Sequence, residues 1–203
     1  RMQAAIALGR IGQADSVNSL YEALCEQDLV ARFTMAQALR AIGNWQPALM
    51  HLRTADKPTR DAILQAVAGV FDSRAVEVLN QWMHEAADPM ERAAALQALA
   101  KVHRQADAYA GGWWGGKAAG GQPARPQEHA WEATAVVLAA IADGLQQDAP
   151  QVRIAALDSL REVPVPEALH QVRRMVAEDT DQEVRLRAIG FLADVKDAAV
   201  IPS

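Results

Sequence analysis

The chain has 203 residues, a net charge of −5 at pH 7 and a hydrophobic content of 51%, a composition typical of a folded domain and not of a disordered segment. The acidic balance argues against nonspecific nucleic-acid binding, which requires clustered Lys and Arg. A single cysteine, Cys25, excludes an internal disulfide and a multi-cysteine metal site, and the longest uncharged apolar run, 133–142, is too short to span a bilayer.

Six segments of the chain share a pattern that begins at an arginine. Residues 1–12 and 32–43 carry Arg, Ala, Ala, Leu, Ile and Gly in the same order, and similar apolar positions follow Arg60, Arg92, Arg153 and Arg185. The apolar residues recur at i, i+3, i+4 and i+7, which predicts one buried stripe on a helix. A second amphipathic pattern follows each first one, although only its beginning is present after Arg185. Each unit is therefore predicted to be a helical hairpin of about thirty residues.

Acidic residues four or five positions before the arginines predict where the first helices begin. An Asp at this point can accept hydrogen bonds from the free N–H groups of the first turn. Because an aspartate accompanies each of these arginines, we expect the arginines to form ion pairs along the stack and not to bind the phosphates of a nucleic acid. Gly12 and Gly43 predict helix ends, because glycine tolerates the left-handed conformation there. The acidic residues are Asp28, Asp56, Asp88, Asp148 and Asp181.

The Asp-x-x-x-Arg entry, the Ala/Leu stripe and the Ile-Gly exit resemble the HEAT repeat family in its short bacterial form. The resemblance implies an all-α fold, a right-handed α-solenoid of about six helical hairpins. We expect residues 1–203 to form a single repeat domain that is truncated at both ends. The family implies a non-catalytic scaffold whose partner is a protein or an adjacent domain. We expect no cofactor, no metal, no nucleic acid and no membrane insertion.

A Gly/Trp-rich insertion, 104–130, interrupts the fourth unit between its two helices. Glycine and proline at this density forbid a regular helix. Adjacent tryptophans left in water would cost roughly 25 cal/mol per Å² of apolar surface, so we expect them to be packed. They fold back onto the edge of the array, or they contact a neighbouring domain, a partner or a ligand. The candidate partner-binding residues are Tyr109, Trp113, Trp114, Lys117, Arg125 and Trp131.

The insertion also resembles a segment of large multidomain proteins best known in planctomycetes. The resemblance is carried by Tyr109-x-Gly-Gly-Trp-Trp-Gly-Gly-Lys117, Gln122-Pro-x-Arg-Pro126 and Trp131-Glu-Ala-Thr134. Those proteins join a sugar-dehydrogenase-like propeller, a HEAT array and a c-type cytochrome domain. The resemblance implies that this chain is one module of a larger protein, and it implies a periplasmic or cell-surface location. The chain has no Cys-x-x-Cys-His motif, so we assign it no redox activity.

Other residue patterns leave an alternative from another functional class. His84 and Glu85 could supply metal ligands, although one such pair is an incomplete site. His103 and His129 flank the insertion and are expected to be solvent-exposed or hydrogen-bonded. Cys25 is expected to be a buried small hydrophobic residue. The alternative function is a HEAT-type enzyme such as a bilin lyase, or a nucleic-acid binder similar to a DNA glycosylase.

Overall fold

The protein is built almost entirely of helices. The computed structural model describes residues 1–26, 28–106, 127–163 and 165–195. Within these residues there are eleven α-helices and two short strands: α1 (Met2–Ile11), α2 (Val17–Ala23), α3 (Leu29–Ile42), α4 (Ala48–Thr54), α5 (Lys57–Val67), α6 (Ser73–Glu85), α7 (Pro89–Ala100), β1 (Gln105–Ala106), β2 (Glu128–His129), α8 (Thr134–Gly144), α9 (Pro150–Leu160), α10 (Ala168–Glu178) and α11 (Gln182–Asp194). None of the described helices is both long and apolar enough to cross a membrane.

The helices form two rows that follow the order of the chain. The first helices of the units make one row, in which α1 contacts α3, α3 contacts α5, and the series continues through α7 and α9 to α11. The second helices α2, α4, α6 and α8 contact one another in the same order, and each packs on a helix of the first row. The predicted all-α solenoid is confirmed. Its right-handed sense and the number of repeats stay predictions.

The apolar stripe of the first helices forms the core. The residue seven positions after each repeat arginine is at most 4% exposed in five successive first helices. Full burial of a Leu or Val side chain contributes about 2 kcal/mol, so this one position is a large part of what holds each helix to its neighbours. The five residues are Leu39, Val67, Leu99, Leu160 and Leu192.

Small residues allow the first helices to pack closely. Gly9 of α1 faces Ala38 of α3, and a Cβ added at Gly9 would lie 3.0 Å from the Ala38 Cα. A Cβ at this distance would force the two helices slightly apart, so glycine is favoured at the crossing. The abundance of alanine in the chain has the same consequence elsewhere in the row, because short side chains bring helix axes together.

The helix starts confirm four of the five predicted aspartate caps. Asp28 accepts hydrogen bonds from the N–H groups of Val30 and Ala31, and the carboxylates of Asp56, Asp88 and Asp181 accept bonds from their own first turns. The prediction was wrong for Asp148. Helix α9 has Ala149 at its N-cap with no side-chain bond, because Asp148 precedes its arginine by five positions instead of four. The glycine ends are confirmed, since Gly12 and Gly43 have φ values of 70° and 68°.

Two of the repeat arginines, Arg60 and Arg153, form ion pairs along the stack, but not with the aspartates that precede them. Arg60 donates from Nε to both carboxylate oxygens of Glu91, at 2.9 and 3.0 Å, one repeat further on. Arg153 makes a bidentate pair with Asp179, with both distances 2.8 Å. Asp56 is occupied by the backbone N–H of Thr59 at the start of α5, and the acids that pair, Glu91 and Asp179, lie further along the chain.

Arg32 and Arg185 show what the repeat arginine does where no acid faces it. Their guanidinium groups donate to backbone carbonyls of the loop just before their own helix, those of Glu26 for Arg32 and of Asp179 and Thr180 for Arg185. Arg153 combines both roles, since it also donates to the carbonyls of Gln147 and Asp148. In these three repeats the arginine therefore satisfies backbone carbonyls of the loop that precedes its own helix.

Cys25 lies on the surface, so its predicted burial was wrong. The apolar stripe of the second helix stops at Leu24, which is fully buried. Helix α2 ends at Ala23, and the chain turns before Cys25. The helical periodicity of α2 cannot be extended to Cys25, because the helix has already ended and the chain has changed direction.

Replacing Asp28 by Ala is expected to lower the free energy of unfolding by about 1 kcal/mol, because two N–H groups of α3 lose their acceptor. Replacing Asp148 by Ala should change it by less than about 0.5 kcal/mol, since that carboxylate caps nothing. Urea denaturation followed by circular dichroism measures both. An equal loss of the free energy of unfolding in the two variants would contradict the conclusion that an aspartate caps the first helix only when it lies four residues before the arginine.

The Arg153–Asp179 pair predicts an acid-dependent loss of stability. Burial raises the pKa of Asp179. The hydrogen bonds from Arg153 and from the Asp181 N–H lower the pKa by more than burial raises it, so the pKa is lower than that of an ordinary aspartate. A carboxyl with a lowered pKa stabilises the fold above its unfolded value, about 3.9, and loses that effect as the pH falls through its folded value. Asp179→Asn should cost about 3 kcal/mol at pH 7.

Urea denaturation measures the difference in the free energy of unfolding between the wild type and Asp179→Asn. This difference should become smaller as the pH is lowered below about 4. Asp158→Asn is the matched control, because Asp158 also pairs with an arginine of the next repeat, Arg187, but at the solvent-exposed surface. Its cost should stay below about 1 kcal/mol. A difference for Asp179→Asn that is constant from pH 7 to pH 3 would refute the ionic role.

Candidate interaction site at the base of the insertion

Only one of the six predicted partner-binding residues, Trp131, lies within the residues that the structure describes. Trp131 lies between β2 and α8, where the chain returns to the array. The other five, Tyr109, Trp113, Trp114, Lys117 and Arg125, lie outside the described residues. The description of the site therefore concerns the base of the insertion, where the chain leaves α7 and enters α8.

Two short strands bring the two ends of the insertion together. Strand β1 pairs with β2 in antiparallel register, with Gln105 opposite His129 and Ala106 opposite Glu128. The strands, which the sequence analysis does not predict, lie between α7 and α8, the first and second helices of one unit. The segment between them therefore leaves and re-enters the array at a single point.

Trp131 fixes this point to the end of α7 and to the start of α6. Its indole N–H donates to the carbonyl oxygen of Val102 at 2.6 Å. Its ring meets the ring of Phe71 edge to face, with centroids 5.5 Å apart and an angle of 68° between the planes. Such an aromatic pair adds about 1 kcal/mol to the effect of burial alone. Trp131 is half-buried, so one side of the indole stays accessible.

Thr134 closes the base with two further hydrogen bonds. Its hydroxyl oxygen accepts from the backbone N–H of Trp131 at 2.9 Å, and the hydroxyl donates to the carbonyl of His103 at 2.8 Å. One side chain at the first residue of α8 thus ties the returning chain to the departing chain. The Trp-Glu-Ala-Thr motif acts as a structural clamp, which we call the Trp131 clamp: Val102, His103, Trp131 and Thr134.

An apolar surface surrounds the Trp131 clamp. Phe71 is 39% exposed and Val136 is 43% exposed, although both lie beside buried core residues. A cavity of about 320 Å³ opens between α6 and α8, and Val136 and Ala133 form part of its wall. At its rim the hydroxyl of Ser73 donates to the carboxylate of Glu132. The arrangement can present a hydrophobic contact surface next to a fixed loop base.

The histidines singled out by sequence have structural partners. His84 lies 3.8 Å from the Asp143 carboxylate, while Glu85 accepts a bidentate pair from Arg53 on the previous second helix. His103 has its Nδ1 2.9 Å from the carbonyl of Ala100. No group of three or more His, Cys, Asp or Glu side chains within the described ranges could hold a metal ion.

Two of the tryptophans and two of the repeat arginines are used in the packing and ion pairing of the array itself. Trp45 and Trp82 are core residues, 1% and 6% exposed. The guanidinium groups of Arg60 and Arg153 are engaged by carboxylates of the next repeat. These two cations are therefore neutralised within the array, which favours the structural interpretation of the arginine series over a phosphate track.

Residues 138–203 match the family model described as HEAT repeats. The match begins inside α8 and includes α9, α10 and α11, the array that follows the insertion. It supports the resemblance to HEAT repeats for the hairpins that begin at Arg153 and Arg185. No curated protein matches the chain.

Sequence reasoning missed the partners of Trp131. Phe71 and the Val102 carbonyl come from other elements, and a backbone carbonyl carries no residue-specific signal in a sequence. The role of Thr134 had a local signal, because a threonine three residues after the tryptophan, at a helix start, is the spacing of a side chain that accepts from a preceding N–H group. Trp131 itself was identified, although its indole N–H donates to the helical array and not to an external acceptor.

Replacing Thr134 by Val should lower the free energy of unfolding by about 2 kcal/mol, since the Trp131 N–H and the His103 carbonyl lose their partner. Limited proteolysis should then cut faster within 104–130. Thr54→Val is the matched control, because the Thr54 hydroxyl only donates to the Met50 carbonyl at an exposed position of α4. Equal proteolysis rates for the two variants would show that the clamp does not hold the insertion.

Proposed function

We propose that the HEAT array is a non-catalytic protein–protein interaction scaffold. Residues 1–203 form a single repeat domain, and the insertion 104–130 contacts a partner protein or an adjacent domain of the same polypeptide. In this proposal Trp131 anchors the insertion, while Tyr109, Trp113, Trp114, Lys117 and Arg125 make the contact. HEAT repeats generally mediate contacts between proteins, which fits this role.

The Trp131 clamp is the observation that carries the proposal. A connection of this length inside a hairpin serves no purpose in stacking, because α7 and α9 contact each other directly. Yet its base is held by three hydrogen bonds and an aromatic pair, next to the partly exposed Phe71 and Val136. Long insertions fixed on a rigid scaffold are typical of binding loops. Tryptophan is also the residue most enriched at the centre of protein interfaces.

We further propose that the array belongs to a larger protein, of the type that combines a dehydrogenase-like propeller with a c-type cytochrome domain. The support is the Tyr-x-Gly-Gly-Trp-Trp-Gly-Gly-Lys segment and the Trp-Glu-x-Thr helix start. In that setting the insertion would dock a neighbouring domain, and the array would lie in the periplasm or at the cell surface. The array itself would hold the domains in place and carry out no chemistry.

A photo-crosslinking experiment in the cells that produce the protein tests the role of the insertion. The photoreactive residue p-benzoyl-phenylalanine replaces Trp113 in one variant and Trp114 in another. Because both positions are expected to lie in the interface, illumination should give one discrete cross-linked product from each variant. Peptide mapping should place the other end of the cross-link outside residues 1–203.

The control carries the same photoreactive residue in place of Phe33, which is an exposed aromatic residue on α3, far along the array from the insertion. This variant should not give the product seen from positions 113 and 114. Cross-links confined to residues 1–203, or the same product from position 33, would refute the proposal that the insertion docks a partner.

A further inference from the structure

The row of first helices has two end faces, one on α1 and one on α11. Among the described residues no first helix precedes α1, and none follows α11. The residues of the two faces are compared with those of the other first helices by their distance from the repeat arginine. The face of α1 contains Ala4 and Ala7, at the third and sixth positions after the arginine. The face of α11 contains Ile189 and Ala193, at the fourth and eighth positions.

The third and sixth positions of a first helix are covered by the preceding unit. In α3, α5, α7, α9 and α11 every residue at these two positions is at most 5% exposed. In α1 the equivalent residues, Ala4 and Ala7, are both exposed. The face of α1 is therefore one half of a contact whose other half is a preceding helix in the rest of the row.

The fourth and eighth positions lie on the side of the following unit. Gly9, at the eighth position of α1, lies against Ala38, at the sixth position of α3. A Cβ added at Gly144 of α8 would lie 2.6 Å from Cδ2 of Leu96, at the fourth position of α7. It would also lie 3.1 Å from Cβ of Ala156, at the third position of α9. Fourth and third positions of successive first helices therefore meet at one junction.

The fourth position is covered in the earlier helices and open in α11. Its residue is at most 5% exposed in α1, α5, α7 and α9, and half-buried in α3. Ile189 of α11 is 43% exposed, and Ala193 at the eighth position is exposed as well. The face of α11 is therefore the complementary half of the same contact.

Side-chain size is matched across every junction of the row. Where the fourth position holds leucine, the third position of the next first helix holds alanine. Where the fourth position holds alanine, the next third position holds methionine or isoleucine. One large and one small side chain thus fill each junction at the density of a protein interior. The pairs in chain order are Ala5 with Met35, Ala36 with Ile63, Leu64 with Ala95, Leu96 with Ala156, and Leu157 with Ala188.

The two end faces follow the same pattern. Ile189 is a large residue at the fourth position, and Ala4 is a small residue at the third. Ala193 and Ala7 are both small, as Gly9 and Ala38 are where α1 crosses α3. None of the four end-face residues is charged, so a contact between the faces buries no ion without a partner.

We propose that two copies of this chain dock end to end, with α11 of one copy packed on α1 of the next as α9 packs on α7. Ile189 and Ala193 of one copy cover Ala4 and Ala7 of the other. Because the two faces are different, each docked pair keeps one free face of each kind, and the contact extends into open chains of copies. The inference goes beyond the proposed scaffold function, since its partner is a second copy and its surface is separate from the insertion.

Sedimentation equilibrium of the 203-residue chain, at loading concentrations from about 10 to 500 µM, tests the proposal. The weight-average mass should rise with concentration and exceed that of two copies. The expected Kd is on the order of 100 µM, because a single pair of helices is a small interface. Ile189→Glu and Ala7→Glu should each raise the Kd at least about tenfold, since a carboxylate would enter the contact without a partner.

Mixing the two variants tests whether the contact joins unlike faces. Ala7→Glu keeps the face of α11 intact, and Ile189→Glu keeps the face of α1 intact. Each variant alone should stay monomeric, whereas an equimolar mixture should form dimers that do not grow further. Phe33→Glu is the matched control, because Phe33 is an apolar residue of α3 that is 63% exposed and lies outside both end faces. It should associate as the wild type does.

Circular dichroism should show the same helix content in all three variants, because each replaced side chain is exposed. The proposal is overturned if the wild type keeps the mass of one copy up to about 500 µM. It is also overturned if Phe33→Glu weakens association as much as Ile189→Glu does, or if the mixture of variants stays monomeric. The cross-links from positions 113 and 114 concern the middle of the array, so their outcome is independent of this one.

Discussion

The structure depends on the burial of one apolar stripe between helices that are neighbours in the chain. Each first helix contacts the first helix before it and the one after it, and residues such as Leu39, Val67 and Leu99 lie in those contacts. No hairpin of about thirty residues can bury its stripe alone, so stability is shared between adjacent units. The surfaces that do not take part in stacking are free to vary, and the Trp131 clamp is found there.

This constraint explains how an insertion can occupy the middle of a hairpin. The contacts of α7 with α8 and with α9 persist although the chain between α7 and α8 is interrupted. The Trp131 clamp makes this possible, because Trp131 and Thr134 tie the returning chain to Val102 and His103 at the end of α7. The contacts in the row of first helices therefore do not depend on the segment between β1 and β2. A loop of different length or composition could be carried there at little cost to the array.

The sequence was sufficient for the features that depend on near neighbours in the chain. The stripe, the glycine ends and the cap at Asp28 all follow from spacings of a few residues. The spacing rule fails at Asp148, because this residue lies five positions before its arginine instead of four and does not cap α9. The partner of Arg60 could not be predicted, because Glu91 comes from the next repeat and reaches it only through the rotation between hairpins. The exposure of Cys25 depends on the direction of a turn, which periodicity does not contain.

The candidate sites were less predictable than the fold for the same reason. Trp131 was found as an aromatic residue next to a glycine-rich segment, but its bond to a backbone carbonyl has no signature in sequence. The pair of Arg53 and Glu85 joins α4 to α6 and comes from two different repeats, so no local spacing predicts it either. In a repeat protein, a segment that the stacking contacts do not need is where a binding role can evolve without loss of the fold.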